Sequence, residues 1–179
     1  MRTPVEASID ASTGVLTYSG SADFSGTDGV TVQVSDGSLT TSLTVDLTVT
    51  PVNDAPVIVQ GDGPLNQTIL EDANLSLELN ATDVDGDALT WSVSSAAGNG
   101  TAGVDANTGE VNYHPNPDFF GSDSFAVTVS DGALSDSVAV NLTISPVNDA
   151  PVLADAPGPL TLSLPEDNSV SYDLNATDV

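Results

Sequence analysis

The chain has 179 residues and a net charge of −25, with 26 acidic side chains against one basic residue, Arg2. Binding a phosphate backbone needs clustered Lys and Arg, so nucleic acid is excluded, and anionic membrane surfaces are disfavoured by the same sign. Cysteine is absent, so no disulfide staples the fold, and no run of about 18 apolar residues spans a bilayer.

The start, MRTPVEAS, lacks the apolar stretch of a secretory signal, so any export signal is expected outside this chain. PVNDAPV at 51–57 then returns at 146–152, an offset of 146 − 51 = 95 residues. At that offset VSDG at 34–37 falls on 129–132 and LNATDV at 79–84 falls on 174–179; in all, 39 of the 84 overlapping positions are identical. This is a tandem repeat. Residues 1–52 are the C-terminal part of a first repeat, 53–147 a complete repeat, and 148–179 the N-terminal part of a third.

Within the complete repeat, apolar side chains alternate with period two, the pattern of half-buried strands. In chain order these are Leu75, Leu77 and Leu79; Leu89, Trp91 and Val93; Val111 and Tyr113; Phe125, Val127 and Val129; and Val138, Val140, Leu142 and Ile144. Turn formers separate them, at DGD 85–87, NTG 107–109, FGSD 120–123 and DG 131–132. No helical period is present. About six or seven short strands in a unit of this size predict an all-β fold, a two-sheet Greek-key sandwich repeated in tandem. Trp91, in phase with Leu89 and Val93, is expected in the core rather than as a sugar-stacking platform.

Most of the acids read as solvated charge and turn caps; Asp10 and Asp105 precede T-G turns, and Asp28 and Asp123 are expected to bond their own turns. Asp83, Asp85 and Asp87 differ. They alternate in DVDGD, and three carboxylates so close repel one another unless a cation sits among them. Oxygen-only ligands on a flexible loop favour Ca2+. An EF-hand is rejected, because the glycine stands at loop position 4 and Ser94 occupies the position of the closing Glu. Two readings of the linker stay open: a turn stiffened by its prolines, or a segment that shares an ion with flanking loops.

The repeat resembles cadherin domains, and more closely the bacterial cadherin-like repeats of very large secreted surface proteins. LNATDVDGDALTWSV, GVDANTGEVNY, VTVSDG, VNDAPV and EDANLSLEL carry the resemblance, in the family's order and across the whole chain. It implies calcium at the junctions between repeats. Carried over by position, one junction would use Asn53, Asp54, Asp83, Asp85 and Asp131, and the next Glu71, Asn148, Asp149 and Asp178. Asp23 and Asp118 stand where cadherins have an Asp-Arg-Glu motif, although no Arg-Glu follows Asp118. Pro51 and Pro146 replace the linker's first Asp, which implies fewer ions per junction.

No catalytic constellation is present, and an enzyme is not expected: His114 is the sole histidine, and its counterpart in the first repeat is Ser19. Sequons at Asn66, Asn74, Asn80, Asn141 and Asn175 are incidental in a bacterial protein. The function expected is an extracellular spacer in an adhesin, stalk or filament, whose partners are neighbouring repeats of the same protein. The alternative is a sandwich that binds carbohydrate or a cell-surface protein through its loops, against which the shared loops keep equal length. A further assembly is conceivable, a head-to-tail filament in which the tail of one molecule completes the head of the next. Such a composite would lack the counterparts of residues 85–95.

Overall fold

Alternating side chains can bury one side of a segment only as a strand, and the computed structural model, which describes residues 5–154 and 158–178, contains no helix among them. In the first partial repeat β1 (Val5–Ile9) pairs with β2 (Leu16–Gly20), and β3 (Gly26–Ser35) with β4 (Thr40–Val49), both antiparallel. After the linker come β5 (Val57–Ile58), β6 (Leu65–Leu70), β7 (Leu75–Glu78), β8 (Ala81–Thr82) and β9 (Thr90–Ser95). They are followed by β10 (Gly100–Val104), β11 (Glu110–Pro115), β12 (Gly121–Ser130) and β13 (Ser135–Ser145). In the third partial repeat β14 (Val152–Leu153) pairs with β15 (Ala176–Thr177), as β5 pairs with β8.

The complete repeat forms a sandwich of a four-stranded sheet, β6-β13-β12-β9, and a three-stranded sheet, β10-β11-β7. β6 runs parallel to β13, with Val140 opposite Leu65 and Ile144 opposite Ile69. Leu75, Leu79, Trp91, Val111, Tyr113, Phe125, Val127, Val129, Val138, Val140, Leu142 and Ile144 are all buried, so the expected alternation does select the core. Trp91 is 5% exposed and belongs to that core. His114 is exposed and shares a 2.7 Å hydrogen bond with Asn74 Oδ1.

More strands are present than the pattern indicates. β10, GTAGV, carries too few large apolar residues to show alternation, and the two-residue β5 and β8 are too short for it. FGSD is not a separate turn: Gly121–Asp123 already lie in β12. By contacts the chain divides into two compact units. One gathers Met1–Val59, Ala81–Thr90 and Val129–Asp136; the other gathers Gln60–Asn80, Trp91–Thr128 and Ser137–Val179.

Two details explain motifs in the second unit. Asp105 Oδ1 accepts the N–H groups of Asn107 and Thr108, which closes the turn, and Gly109 follows at φ +75°. A Cβ on Gly109 would lie 2.5 Å from the Leu79 carbonyl oxygen and 3.0 Å from the Trp91 ring. Glycine is therefore needed for the turn and for the close approach of the indole.

Asp123 does more than cap its own turn. Besides the N–H of Ser124, its carboxylate accepts the N–H of Gly98 (2.9 Å), the N–H of Asn99 (2.8 Å) and the buried Tyr113 hydroxyl (2.8 Å). Burial pushes its pKa up, but the Gly98 and Asn99 amides and the Tyr113 hydroxyl together hold it below the usual carboxylate value. Tyr113 also stacks on Phe125, with ring centroids 5.9 Å apart. In the first repeat the Tyr18 hydroxyl and Asp28 repeat the bond at 3.2 Å.

Gly109→Ala is expected to cost about 2–4 kcal/mol, a left-handed alanine plus a clash with backbone, whereas Gly103→Ala, with open space around it, stays near neutral in chemical denaturation. Tyr113→Phe removes a hydrogen bond to a charged group and should cost about 1.5–3 kcal/mol at neutral pH. Because the folded pKa of Asp123 is depressed, its contribution is present above the unfolded value near 3.8 and is lost as pH falls through the lower folded value. The stability gap between wild type and Asp123→Asn should therefore shrink across that interval, as urea titrations at stepped pH would record.

Candidate metal centre

The antiparallel β5–β8 ladder, Val57 opposite Thr82 and Ile58 opposite Ala81, sets the linker beside the DVDGD loop. Linker and loop both belong to the first unit. Pro56 and Ile58 are buried, and the Ile58 N–H donates to Asp136 Oδ2 at 2.8 Å, which ties the strand down where the linker enters it. The loop that follows β8 turns on Asp83. Its Oδ1 accepts three backbone N–H groups, from Asp85 (2.9 Å), Gly86 (3.0 Å) and Asp87 (3.3 Å), with Gly86 at φ +81°. That wrapping brings carboxylate oxygens of Asp83, Asp85 and Asp87 to within 4.8 Å of one another.

The second oxygen of Asp83 is the telling atom. Oδ2 is buried and has no hydrogen-bond partner. A buried carboxylate oxygen without a donor is costly, and the missing partner is normally an ion or a water. Asp54 and Asp85 are linked, because the Asp54 N–H donates to Asp85 Oδ2 at 2.8 Å. The Asn53 amide donates to Asp131 Oδ2 at 2.8 Å. Asp131 Oδ1 meanwhile takes the N–H groups of Ala133 and Leu134, and these bonds, that of Asn53 foremost, hold its pKa below the ordinary value. Asp23, at φ 59°, lines one recess with Asp54, Thr82 and Asp83. The structure thus brings Asn53, Asp54, Asp83, Asp85 and Asp131 into one neighbourhood and adds Asp87 and Asp23 to it.

A second acidic group lies in the other unit. Glu71 is 6% exposed, and its Oε1 accepts the Val147 N–H at 2.5 Å, which fixes the carboxylate against the start of the second linker. Burial raises the pKa of Asp149, and the negative charges of Asp72, Asp118, Glu71 and Asp178 raise it further. Four of the expected residues, Glu71, Asp118, Asp149 and Asp178, therefore feel one another. Asn148 turns its amide onto the Asp149 carbonyl at 3.0 Å, as Asn53 does on Asp54 at 3.1 Å. Asp72 escaped the sequence reading, although its signal is present: Glu71-Asp72 recurs as Glu166-Asp167 at the repeat offset.

Loop, linker and recess together decide how the chain compares with known proteins. A model of the bacterial cadherin-like domain matches residues 53–146. The chain belongs to that family. No curated protein matches it. Among solved structures, Drosophila N-cadherin EC1-3 is 17% identical at a TM-score of 0.46, covering 79% of this chain and 51% of its own. Protocadherin gammaB7 EC3-6 is 19% identical at 0.48, covering 98% and 49%. The endo-fucoidan hydrolase MfFcnA4_H294Q of glycoside hydrolase family 107 is 19% identical at 0.44, covering 86% of this chain and 25% of its own. This cadherin-like chain therefore spans about a quarter to a half of the length of those structures.

Gly86→Ala puts a Cβ on a left-handed residue, at a cost of about 1–2 kcal/mol, and should loosen the three N–H bonds to Asp83. Hydrogen exchange at the amides of Asp85, Gly86 and Asp87 is expected to quicken about tenfold, while the β11 amides keep their protection.

Proposed function

We propose that this cadherin-like chain is part of an extracellular spacer, a stretch of an adhesin, stalk or filament whose junctions between repeats are stiffened by calcium. The observation that carries the reading is the buried, partnerless Oδ2 of Asp83 among the oxygens of Asp85 and Asp87. The donor set is oxygen only, carboxylate and amide carbonyl, as a hard divalent cation requires. Asn53, Asp54, Asp83, Asp85, Asp87 and Asp131, with Asp23, would hold calcium at one junction. Glu71, Asp118, Asn148, Asp149 and Asp178, with Asp72, would do so at the next. Asn53 would offer its carbonyl oxygen by turning its amide over and giving up the bond to Asp131.

Bound calcium supplies positive charge to a chain that has almost none, and it would couple a proline-bounded linker to a loop and a turn. The raised pKa of Asp149 supports this reading, because it records repulsion that a cation relieves. With a binding loop, a linker and no catalytic constellation, the chain is read as non-enzymatic. Burial of Trp91 weighs against a carbohydrate-binding module, since it removes the one indole such a site could use.

The test is a cycle of melting curves in calcium and in EDTA. Extracellular calcium modules bind at about 10⁻⁴–10⁻³ M, and saturation at about 100 times Kd adds roughly 2.7 kcal/mol per site. Wild type should gain this in calcium. In EDTA, Asp83→Asn should be at least as stable as wild type, because Asn keeps the Oδ1 acceptor and removes a buried charge; in calcium the order should reverse. Asp123→Asn should lower both curves equally. Identical wild-type curves in the two buffers, with no heat in a calcium titration, would sink the calcium reading.

A further inference from the structure

The two partial repeats leave complementary apolar surfaces open. In the complete repeat Phe125, Val127, Val129, Val138, Val140 and Leu142 are at most 2% exposed. At the same positions in the first repeat, Val34 and Leu43 are 66% exposed, and Val30, Val32, Val45 and Leu47 are only half-buried. At the other end Leu160, Leu162, Leu164, Val170, Tyr172 and Leu174 are all 46–59% exposed, and none of them lies in a strand.

The complete repeat shows what covers such a face. β6 lies beside β13, and β7 lies beside β11, with Val111 opposite Leu77 and Tyr113 opposite Leu75. Counted on by the repeat offset, β6 corresponds to residues 160–165 and β7 to 170–173; counted back, β11 and β13 correspond to 15–20 and 40–50.

We propose that the open face of β2, β3 and β4 is a docking surface for residues 158–177 of a second copy of this chain. The register follows by transposition. Leu160, Leu162 and Leu164 run parallel to β4 opposite Val45, Leu47 and Val49, and Tyr172 and Val170 run antiparallel to β2 opposite Leu16 and Tyr18. Every one of these positions is apolar or aromatic on both sides. An extended segment adding to an open sheet edge gains main-chain hydrogen bonds together with burial of alternate side chains.

The composite lacks the counterparts of residues 85–95, and the sheet order shows how much that removes. β9, which holds Trp91, is the edge strand of the four-stranded sheet. The three-stranded sheet is complete in the composite, and the other sheet keeps its three remaining strands, with β3 as a bare edge. Because head and tail are different surfaces, the contact is heterologous and adds copies in an open row. Both surfaces are acidic, so salt strengthens the docking by screening repulsion.

The docking does not depend on the calcium reading, so the experiment is run in EDTA throughout, on the full chain, at moderate and high salt. In sedimentation over a concentration series, the weight-average mass should rise past that of a dimer, and β4 and residues 160–174 should gain hydrogen-exchange protection with concentration. Leu162→Asp with Leu164→Asp changes only exposed side chains and should lower the association constant at least 100-fold. Mixed with Val45→Asp, which keeps an intact tail, that variant should form 1:1 pairs and nothing longer. The proposal is overturned if the chain stays monomeric at every concentration and salt, if the tail variant still assembles, or if the protection is independent of concentration, as closure within one molecule would make it.

Discussion

A chain with 26 carboxylates and one arginine must compensate its charge without bases. The fold does so with backbone N–H groups. Asp10, Asp36, Asp105 and Asp131 each accept two or more from the residues just after them, and the pKa of each is held down as a result, that of Asp10 to about 2. Asp123 does the same across strands and recruits a tyrosine hydroxyl as well. Each such bond shapes a turn while it stabilises a charge, which is why the turns recur with an Asp at the same place in both copies.

The same supply runs out at two places. Asp83 spends one oxygen on three N–H groups and leaves the other buried without a donor, and Asp149 meets four like charges. These places flank the two copies of the linker, where the ladder ends and backbone donors are few. A protein that lacks lysine and has one arginine could hold them together only with an ion from outside. Stability, stiffness and location would then be linked, because calcium is abundant outside cells.

Much of this is legible in the residues. Period two picks out every buried side chain from Leu75 to Ile144 except the ones that end short ladders, and the turn aspartates announce themselves by the glycine or threonine after them. The roles of Asp123 and Asp72 were not legible. Nothing local separates Asp123 from any other turn aspartate; only the fold brings Tyr113 and the 98–99 amides to it. Strands such as GTAGV, and two-residue ladders such as β5–β8, carry no periodic signal because their pairing is decided by neighbours rather than by their own side chains.

The sequence by itself determined the repeat, its offset, the all-β class and the shortage of positive charge, because identity at a fixed spacing and side-chain alternation are properties of the chain read in one dimension. Tertiary structure decided which acids face one another, which oxygen is left without a donor and which strand lies at the edge of its sheet. Those depend on distances between segments far apart in the chain, and a carboxylate's role is set by the donors and charges that folding brings within reach of it.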